Sequence, residues 1–262
     1  MNVTLRRKKI LDLLCAQGTV EVKALAEELN TSHVTVRNDL TSLEKEGKLE
    51  RFFGGAALPA LMRMPVASQN GLDRELAVNQ RYQINDEAKR KIAAKAAELV
   101  VSNSTIIIDS GSTTHLLAQA LADTGNVTVI TNNLAAASTL AGIGSITLAI
   151  SGGVYRNVSQ SIHGHKAEEF FDGVYADIAF IGADGLDPKK GVTTFNEGYN
   201  VIQTMAKCAK TVVILADSSK LSRSGFNQVL LPEQIDMLIT DSGISSEDMA
   251  RFRSQGIHVV AV

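Results

Sequence analysis

The sequence predicts an α/β protein with two domains, an N-terminal winged helix-turn-helix and a larger C-terminal α/β domain. Its 262 residues exceed the length of one typical domain. Apolar residues recur at helical spacing up to Lys45, and the glycine pair that begins at Gly54 is typical of a tight hairpin. From Thr105 onwards, short apolar runs alternate with helical segments, which is typical of a largely parallel sheet covered on both faces.

Composition and cysteine usage narrow the class of protein. With 45% hydrophobic and 21% charged residues, the chain has the composition of a globular protein in water. Its N-terminus is basic and then apolar, but Asp12 interrupts the apolar run, so we expect no signal peptide. No run reaches the roughly 18 apolar residues of a membrane helix. Cys15 and Cys208 lack the spacing of a disulfide framework or a zinc site. We therefore expect a cytoplasmic protein without metal, cofactor or membrane association.

The first domain is predicted to begin with two helices and a short strand. Helical spacing over residues 5–16 ends at Gly18, which breaks the helix. Residues 19–22 are β-prone and lead into a second helix over residues 22–29. After a turn, Ser32 is a good N-cap for a third helix, so the pattern is that of a helix-turn-helix.

The third helix and the segment after it complete the winged pattern. The helix is expected to end near Gly47, and a strand over residues 49–53 leads into a tight turn at Gly54-Gly55. The apolar residues predicted to face inward are Val36, Leu40 and Leu43. The opposite face is predicted to present Val34, Asn38, Thr41 and Lys45, with Arg37 beside it.

A DNA-binding hypothesis for this domain depends on geometry and local charge, since the net charge of −2 gives no argument for nucleic acid. The N-terminal part of a recognition helix contacts bases in the major groove, where Asn pairs with adenine and Arg with guanine. Basic side chains on the wing or at the N-terminus suit phosphate contacts. The alternative is a small helical bundle with a solvated polar face. The residues predicted to contact DNA are Arg6, Ser32, His33, Thr35, Arg37, Asn38, Thr41 and Arg51.

A linker is predicted between the two domains. Residues 57–85 contain Pro59 and Pro65 and show no clear period, apart from one short helix expected around residues 72–82. Asn85 is predicted to cap the helix that follows. The predicted organisation is a winged helix-turn-helix over 1–57, a linker over 58–85 and the α/β domain over 86–262.

The second domain is predicted to alternate strands and helices. Its expected strands are 105–108, 127–131, 146–150, 178–181, 212–215, 237–239 and 258–262. Its expected helices are 112–122, 134–141, 199–209 and 246–255.

The first strand of this domain runs directly into a loop of small and hydroxyl residues, Asp109-Ser110-Gly111-Ser112-Thr113-Thr114. At a helix N-terminus, backbone N–H groups and the helix dipole attract anions, and glycine lets an anion approach closely. The loop is neither a Walker A motif nor a Rossmann fingerprint, because it lacks Gly-Lys-[Ser/Thr] and GxGxxG. The alternative is an ordinary strand-to-helix turn with a serine cap.

Further strand ends carry polar or glycine-rich tips, and ligands of open α/β sheets bind beyond such carboxyl ends. Lys220 is a candidate charge partner for a phosphate. His163-Gly164-His165 suggests a metal pair, but without a third ligand at suitable spacing a loop near the pocket is favoured. The other tips are Thr131-Asn132-Asn133, Ser151-Gly152-Gly153, Gly182-Ala183-Asp184-Gly185 and Asp217-Ser218-Ser219-Lys220.

The run SHVTVRNDLTSLEKEGKLERFFGGA resembles the N-terminal signature of the DeoR family of bacterial regulators. That signature has Ser-x-x-Thr-[Ile/Val]-Arg-Arg-Asp-Leu, followed by Leu-Glu, Gly and Gly-Gly-Ala. One position departs from it, because Asn38 stands where the family usually has a second Arg. The departure indicates a different operator preference.

The resemblance continues through DSGSTT, TNN, SGG, GADG, GVTTFNE and DSSK, which look like the DeoR-type sensor domain. That domain is similar in fold to ribose-5-phosphate isomerase and the coenzyme A transferases. The resemblance implies that Ser110, Gly111, Ser112, Thr113, Thr114 and Lys220, beside Asp109, hold a phosphate. It implies that Asn132, Gly152, Gly153, Asp184, Asn196 and Glu197 line the sugar side. GVTTFNEGY and SGFNQVL further resemble hexitol-type repressors, such as those for galactitol or glucitol.

The resemblance implies a DNA-binding repressor of a sugar or sugar-alcohol operon, acting on double-stranded operator DNA as a dimer or tetramer and controlled by a phosphorylated sugar. The alternative is a sugar-phosphate isomerase-like enzyme that carries a DNA-binding domain. The related isomerases have Asp-Gly-Ala-Asp, whereas this chain has Ile181-Gly182-Ala183-Asp184. Isoleucine exchanges no proton, so an acid–base set is incomplete and a sensor is favoured over a catalyst. We also expect Ile181 to place apolar bulk beside Asp184.

Overall fold

The computed structural model describes residues 3–17, 19–45, 48–52, 54–57, 76–195, 201–221, 223–225 and 227–262. The chain divides into two compact units, Met1–Gln69 and Asn70–Val262. The last ten residues of the predicted linker, 76–85, belong to the second unit.

The first unit is a winged helix-turn-helix, as predicted. Its elements are α1 (Val3–Gln17), β1 (Thr19–Glu21), α2 (Val22–Glu28), α3 (His33–Lys45), β2 (Glu50–Phe52) and β3 (Gly55–Ala57). The three strands form an antiparallel sheet in the order β1-β3-β2. The predicted inward residues Val36, Leu40 and Leu43 are buried, together with Ile10, Leu14 and Leu25 from the other two helices. Apolar spacing therefore fixes which face of α3 is left outside.

The second unit opens with two helices, α4 (Val78–Gln83) and α5 (Asp86–Ala97). The strands of its main sheet are β4 (Thr105–Ile108), β5 (Val127–Thr131), β6 (Ile146–Ile150), β9 (Ala176–Gly182), β12 (Ala209–Leu215), β14 (Met237–Thr240) and β15 (His258–Ala261). The helices that follow along the chain are α6 (Ser112–Ala120), α7 (Leu134–Leu140), α8 (His165–Glu169), α9 (Val201–Lys207) and α10 (Ser246–Ser254). Each of the seven predicted strands is confirmed to within two or three residues.

The main sheet has seven strands in the order β15-β14-β12-β9-β4-β5-β6, and its neighbouring strands pair in parallel. Consecutive residues of a strand point to opposite faces. Ile107 accordingly belongs to one apolar core cluster, while Ile106 and Ile108 belong to the other. Because both faces of the sheet are covered, most positions of its strands are apolar. This pattern is the one that predicted a parallel sheet from the sequence.

Short strands outside the main sheet were not predicted. They are β7 (Val154–Arg156), β8 (Ser161–His163), β10 (Gly185–Asp187), β11 (Gly191–Thr194) and β13 (Asn227–Leu230). These strands pair antiparallel, and each is only three or four residues long. Such pieces are too short to show a period. In the described part of the chain, no helix has the length and apolar character needed to cross a membrane.

Candidate anion-binding cleft and nucleic-acid interface

A cleft lies at the carboxyl ends of β4, β9 and β12, where ligands of parallel sheets bind. The residues of the strand-end loops that line it are Asp109, Ser110, Gly111, Ser112, Thr113, Gly182, Ala183, Asp184, Ala216, Asp217 and Lys220. Other parts of the second unit contribute Arg81, Lys89, Arg156, Ser159, His163, Thr194, Ile202 and Leu215. The structure thus brings most of the predicted phosphate-binding residues to one place.

The loop after β4 turns sharply at Gly111 to start α6. Gly111 has φ +149°, a backbone conformation that residues other than glycine rarely adopt. An added Cβ would lie 3.3 Å from the Thr114 hydroxyl. The first N–H groups of a helix have no partner within that helix, and the positive end of the dipole adds to their attraction for an anion. Ser112 and Thr113 line the cleft, whereas the Thr114 hydroxyl donates to the Gly111 carbonyl at 3.1 Å.

Of the side chains that the structure describes, four that line the cleft are cationic: Arg81, Lys89, Arg156 and Lys220. Burial lowers the pKa of Lys220, an effect that the nearby Asp217 partly offsets. Burial likewise lowers the pKa of Lys89, which is only 3% exposed. Charges taken partly out of water gain more from an anionic ligand than exposed charges do. Of these four side chains, only Lys220 was predicted from the sequence.

Asp109 is the most deeply buried carboxyl group of the cleft, with 1% of its surface exposed. Burial raises the pKa of Asp109 to about 7, despite hydrogen bonds from Ser110 and from the Gly182 N–H, which donates at 3.3 Å. A carboxyl group with this pKa is partly protonated at neutral pH, so it repels a bound anion less than an ordinary aspartate would.

Asp184 lies beside a cation instead of the apolar bulk expected of Ile181. Its Oδ1 is 3.2 Å from Arg81 Nη1, and its Oδ2 accepts from the Phe195 N–H at 3.4 Å. The Ile181 side chain is fully buried in the core and does not line the cleft. The expectation for Ile181 was therefore wrong, because alternation along β9 turns this side chain into the core while the loop beyond the strand positions Asp184.

The β7–β8 hairpin forms a wall of the cleft that the sequence did not reveal. His163 Nε2 is 2.7 Å from the Ser161 hydroxyl, and Arg156 Nη1 donates to Ser159 at 3.4 Å. Burial, and secondarily the Arg156 charge, lowers the pKa of His163 to about 4, so the ring is neutral at physiological pH. His163 lines the cleft, as expected of a segment near the pocket, but it ends strand β8 and does not lie in a loop.

Three residues assigned to the sugar side lie outside the lining of the cleft. The Asn132 amide donates to the Ile162 carbonyl at 3.1 Å, so it anchors β8. Gly153 packs so closely on this hairpin that an added Cβ would lie 2.6 Å from the His163 carbonyl oxygen. Gly152 is exposed beside it. Asn196 and Glu197 lie outside the described residues.

The first unit exposes the predicted DNA-reading face of α3. Ser32 caps the helix, because its hydroxyl accepts from the Thr35 N–H at 3.1 Å. His33, Arg37 and Asn38 are exposed. Thr41 joins helix and wing, because Arg51 Nη1 donates to its hydroxyl at 2.7 Å. The helix and the wing are thereby held to each other.

Arg6 has a different environment from the one expected of a phosphate contact. Its Nε lies 2.5 Å from Asp39 Oδ2, and Arg7 Nε lies 3.0 Å from Asp39 Oδ1. Asp39 is 3% exposed, so the two arginines balance a buried charge on the inner side of α3. The structure thus gives Arg6 a role within the domain, which its sequence position beside Lys8 and Lys9 did not indicate.

A winged helix-turn-helix followed by an α/β domain with a cationic cleft is typical of a DNA-binding regulator that carries a ligand-binding domain. Two family models match the chain: the DeoR-like helix-turn-helix domain over residues 6–60 and the DeoR C-terminal sensor domain over residues 84–242. The chain belongs to the DeoR family of transcriptional regulators, as its motifs predicted.

Two relatives align with this chain over nearly the full length of both proteins. It is 33% identical over 258 residues to the putative aga operon transcriptional repressor of Escherichia coli O157:H7, covering 98% of this chain and 93% of that protein. It is 32% identical to the lactose phosphotransferase system repressor of Lactococcus lactis, covering 96% of each. Among solved structures, ribose 5-phosphate isomerase A of Methanocaldococcus jannaschii is similar over 52% of this chain and 55% of that one, with 24% identity and a TM-score of 0.40.

Proposed function

We propose that this regulator represses an operon for the use of a sugar or sugar alcohol, and that a phosphorylated sugar bound in the cleft controls its affinity for operator DNA. One observation carries the proposal: the glycine-containing loop at the start of α6 shares a single cleft with Arg81, Lys89, Arg156 and Lys220. Sugar-operon repressors among the relatives support the same function.

The charges of the cleft suit a phosphate ester. Among the residues that the structure describes, four cations share the cleft with three carboxyl groups. The Asp217 carboxylate accepts from Asn85 Nδ2 at 2.8 Å and from the Ser219 N–H at 3.2 Å, and these donors offset part of its negative charge. Asp109 is partly neutral at physiological pH. The cleft therefore favours an anion, and charge-assisted hydrogen bonds to it exceed neutral ones.

The rest of the lining suits hydroxyl groups. Thr194 has a buried hydroxyl oxygen without a hydrogen-bond partner in the described structure, and it lines the cleft. Ser159 and Asp184 add further donors and acceptors. A polyol chain attached to the phosphate would satisfy these groups, so we propose binding without chemical turnover.

On the DNA side, we propose that the exposed face of α3 enters the major groove of an operator in the cytoplasm. A helix-turn-helix protein normally contacts paired half-sites as a dimer, so we propose that the active species is a homo-oligomer. Selection of bound fragments from a random DNA pool would define the operator. Light scattering of the complex should then show two chains or a multiple of two per operator. One chain per operator would contradict this part of the proposal.

A thermal-shift screen of sugar phosphates and hexitol phosphates tests the effector, because a ligand of the native state raises its apparent stability. The ligand found should change operator affinity in the wild-type protein. Lys220→Ala and Ser112→Asp should remove both the stabilisation and the response to ligand, while operator binding persists. Lys207→Ala, an exposed lysine outside the cleft, is the matched control. Equal calorimetric affinity for the phosphorylated and the free sugar would refute the proposal.

A further inference from the structure

Helix α4 is the described segment of the second unit that lies nearest in sequence to the DNA-reading unit, and it is attached to the cleft. Val78 is buried, and its N–H donates to the Val158 carbonyl at 2.8 Å. The Tyr82 ring meets the edge of the His115 ring, with centroids 5.3 Å apart. The sequence predicts that these residues lie in a linker, whereas in the structure they pack against the second unit.

Two of the four cleft cations are tied to this helix. Arg81 is part of α4 itself. Lys89, from α5, donates through Nζ to the main-chain carbonyls of Arg81 and Ile84. Carbonyls at the C-terminal end of a helix lack partners within that helix, so the ammonium group satisfies them. The position of α4 is thus linked to charges that an anion in the cleft would attract.

Arg81 already has a partner in the cleft. Its Nη1 lies 3.2 Å from Asp184 Oδ1, and both side chains are largely buried, with 14% and 13% exposed. A phosphate that enters beside Ser110–Thr113 presents more charge and more acceptor oxygens than one carboxylate does. The planar guanidinium binds such a group in a bidentate manner. The anion and Asp184 therefore compete for the same side chain.

We propose that Arg81 is an effector-binding residue, and that the anion replaces Asp184 as its partner and thereby moves α4. The inference rests on the proposed function, since it assumes that the cleft takes a phosphate. It adds that the ligand is held by the segment that leads to the DNA-reading unit. Asp184, once released, becomes an acceptor for a sugar hydroxyl. A ligand can shift a conformational equilibrium only through contacts that differ between the two states, and this exchange supplies such a contact.

The test uses inorganic phosphate as the probe and the full-length protein at pH 8. The chain contains no tryptophan, so Tyr82→Trp places a single fluorescent reporter on α4. Phosphate affinity is measured by calorimetry, and tryptophan emission is read at saturating phosphate. We expect Arg81→Ala to weaken phosphate binding about tenfold and to abolish the emission change. Asp184→Asn should strengthen phosphate binding severalfold, because it removes the competing carboxylate.

The opposite directions of these two effects separate the inference from a general loss of structure. Lys207→Ala is the matched control and should bind phosphate as the parent protein does. If phosphate binds equally well to Arg81→Ala, or if Asp184→Asn binds it no more tightly, the inference is wrong while the proposed function stands. If the parent protein binds no phosphate, the proposed function fails together with the inference.

Discussion

Asp109 shows how far a residue's chemistry depends on its surroundings. Its place at the end of a predicted strand was evident from the sequence, but its burial and its neighbour Gly182, from another strand, depend on the assembled sheet. Desolvation of a carboxylate is costly, so the protonated form is favoured. His163, whose pKa is about 4, is neutral near pH 7, whereas Asp109 titrates there.

The raised pKa of Asp109 predicts a pH dependence of stability. The folded protein keeps this proton up to about pH 7, whereas the unfolded chain loses it near the ordinary value of 3.8. Where the folded state binds more protons, stability falls as pH rises. Between pH 5 and pH 8 the wild type should therefore lose roughly 3 kcal/mol more unfolding free energy than Asp109→Asn, at about 1.4 kcal/mol per pH unit.

Urea titrations of the full-length protein and of Asp109→Asn at pH 5 and pH 8 measure this difference. The comparison between variants cancels the titration of groups that both proteins share. An identical pH dependence in the two proteins would show that Asp109 is not perturbed in this way.

Among the helices, α3 contains two adjacent polar residues with opposite exposure to solvent. Asn38 is exposed, whereas Asp39 is buried against Arg6 and Arg7. Apolar spacing predicted the outer face correctly. Apolar spacing could not identify Asp39 as a core residue. Its burial depends on an ion pair with Arg6, which lies 33 positions earlier in the sequence.

On the outer face, Asn38→Ala should reduce discrimination between the selected operator and random DNA by about 1–3 kcal/mol, if the amide pairs with adenine. Arg51→Ala should weaken binding to all sequences alike, because a wing cation contacts phosphates. Fluorescence anisotropy titrations with both DNAs measure these effects. Unchanged affinity and specificity in Asn38→Ala would show that this residue does not contact a base.

On the inner face, Asp39→Ala should destabilise the first unit by roughly 2–4 kcal/mol, because it leaves arginine charges without their buried counter-charge. Asn38→Ala is the matched control, since it changes the adjacent exposed position and should alter stability by less than about 0.5 kcal/mol. Unfolding of the full-length proteins, followed by circular dichroism, compares the two. Equal stability of Asp39→Ala and the wild type would contradict the role of the buried ion pair.

The helices and strands were predicted well where burial on both faces of the sheet produced apolar runs in the sequence. They were missed where contacts with distant residues determine the local structure. The strands of the parallel sheet are mostly apolar, and β4 to β6 were predicted to the residue. The β7–β8 hairpin is short and partly polar, and it is held by distant groups such as Asn132. Asn85 lies at the predicted N-cap of α5, yet its amide donates to Asp217 and Ser219 instead of capping the helix.

At the scale of the whole molecule, motifs predicted the 110–114 loop and Lys220 of the cleft, but the other three cations described there came from segments without a motif. Arg81, Lys89 and Arg156 lie on α4, α5 and β7, which the order of strands and helices brings to one edge. A fold also leaves open whether such a cleft binds or catalyses, since one architecture hosts both. Whether this cleft catalyses a reaction depends on which of its carboxyl groups can exchange a proton with the ligand.

Aldose–ketose isomerisation moves a proton between adjacent carbons, so it needs a base that reaches those carbons. Asp184 is paired with Arg81, and Asp217 accepts from Asn85 and Ser219. Asp109 has the pKa of a useful base, but it is 1% exposed and hydrogen-bonded to Gly182 and Ser110. Asp109 and Asp217 are only 1% and 2% exposed, and Asp184, once an anion releases it from Arg81, is assigned to a sugar hydroxyl. The described residues of the cleft therefore do not supply a matched acid and base.

We therefore predict that the purified full-length protein does not interconvert pentose or hexose phosphates, although it binds one of them. Loss of a positioned acid or base lowers a rate by about 10²–10⁴-fold. NMR of the sugar phosphates should show conversion at the rate of buffer alone, while a thermal shift reports saturable binding. Turnover faster than about one per second would contradict the prediction. If Asp109→Asn abolished that turnover, burial in this structure would have hidden a base that ligand binding exposes.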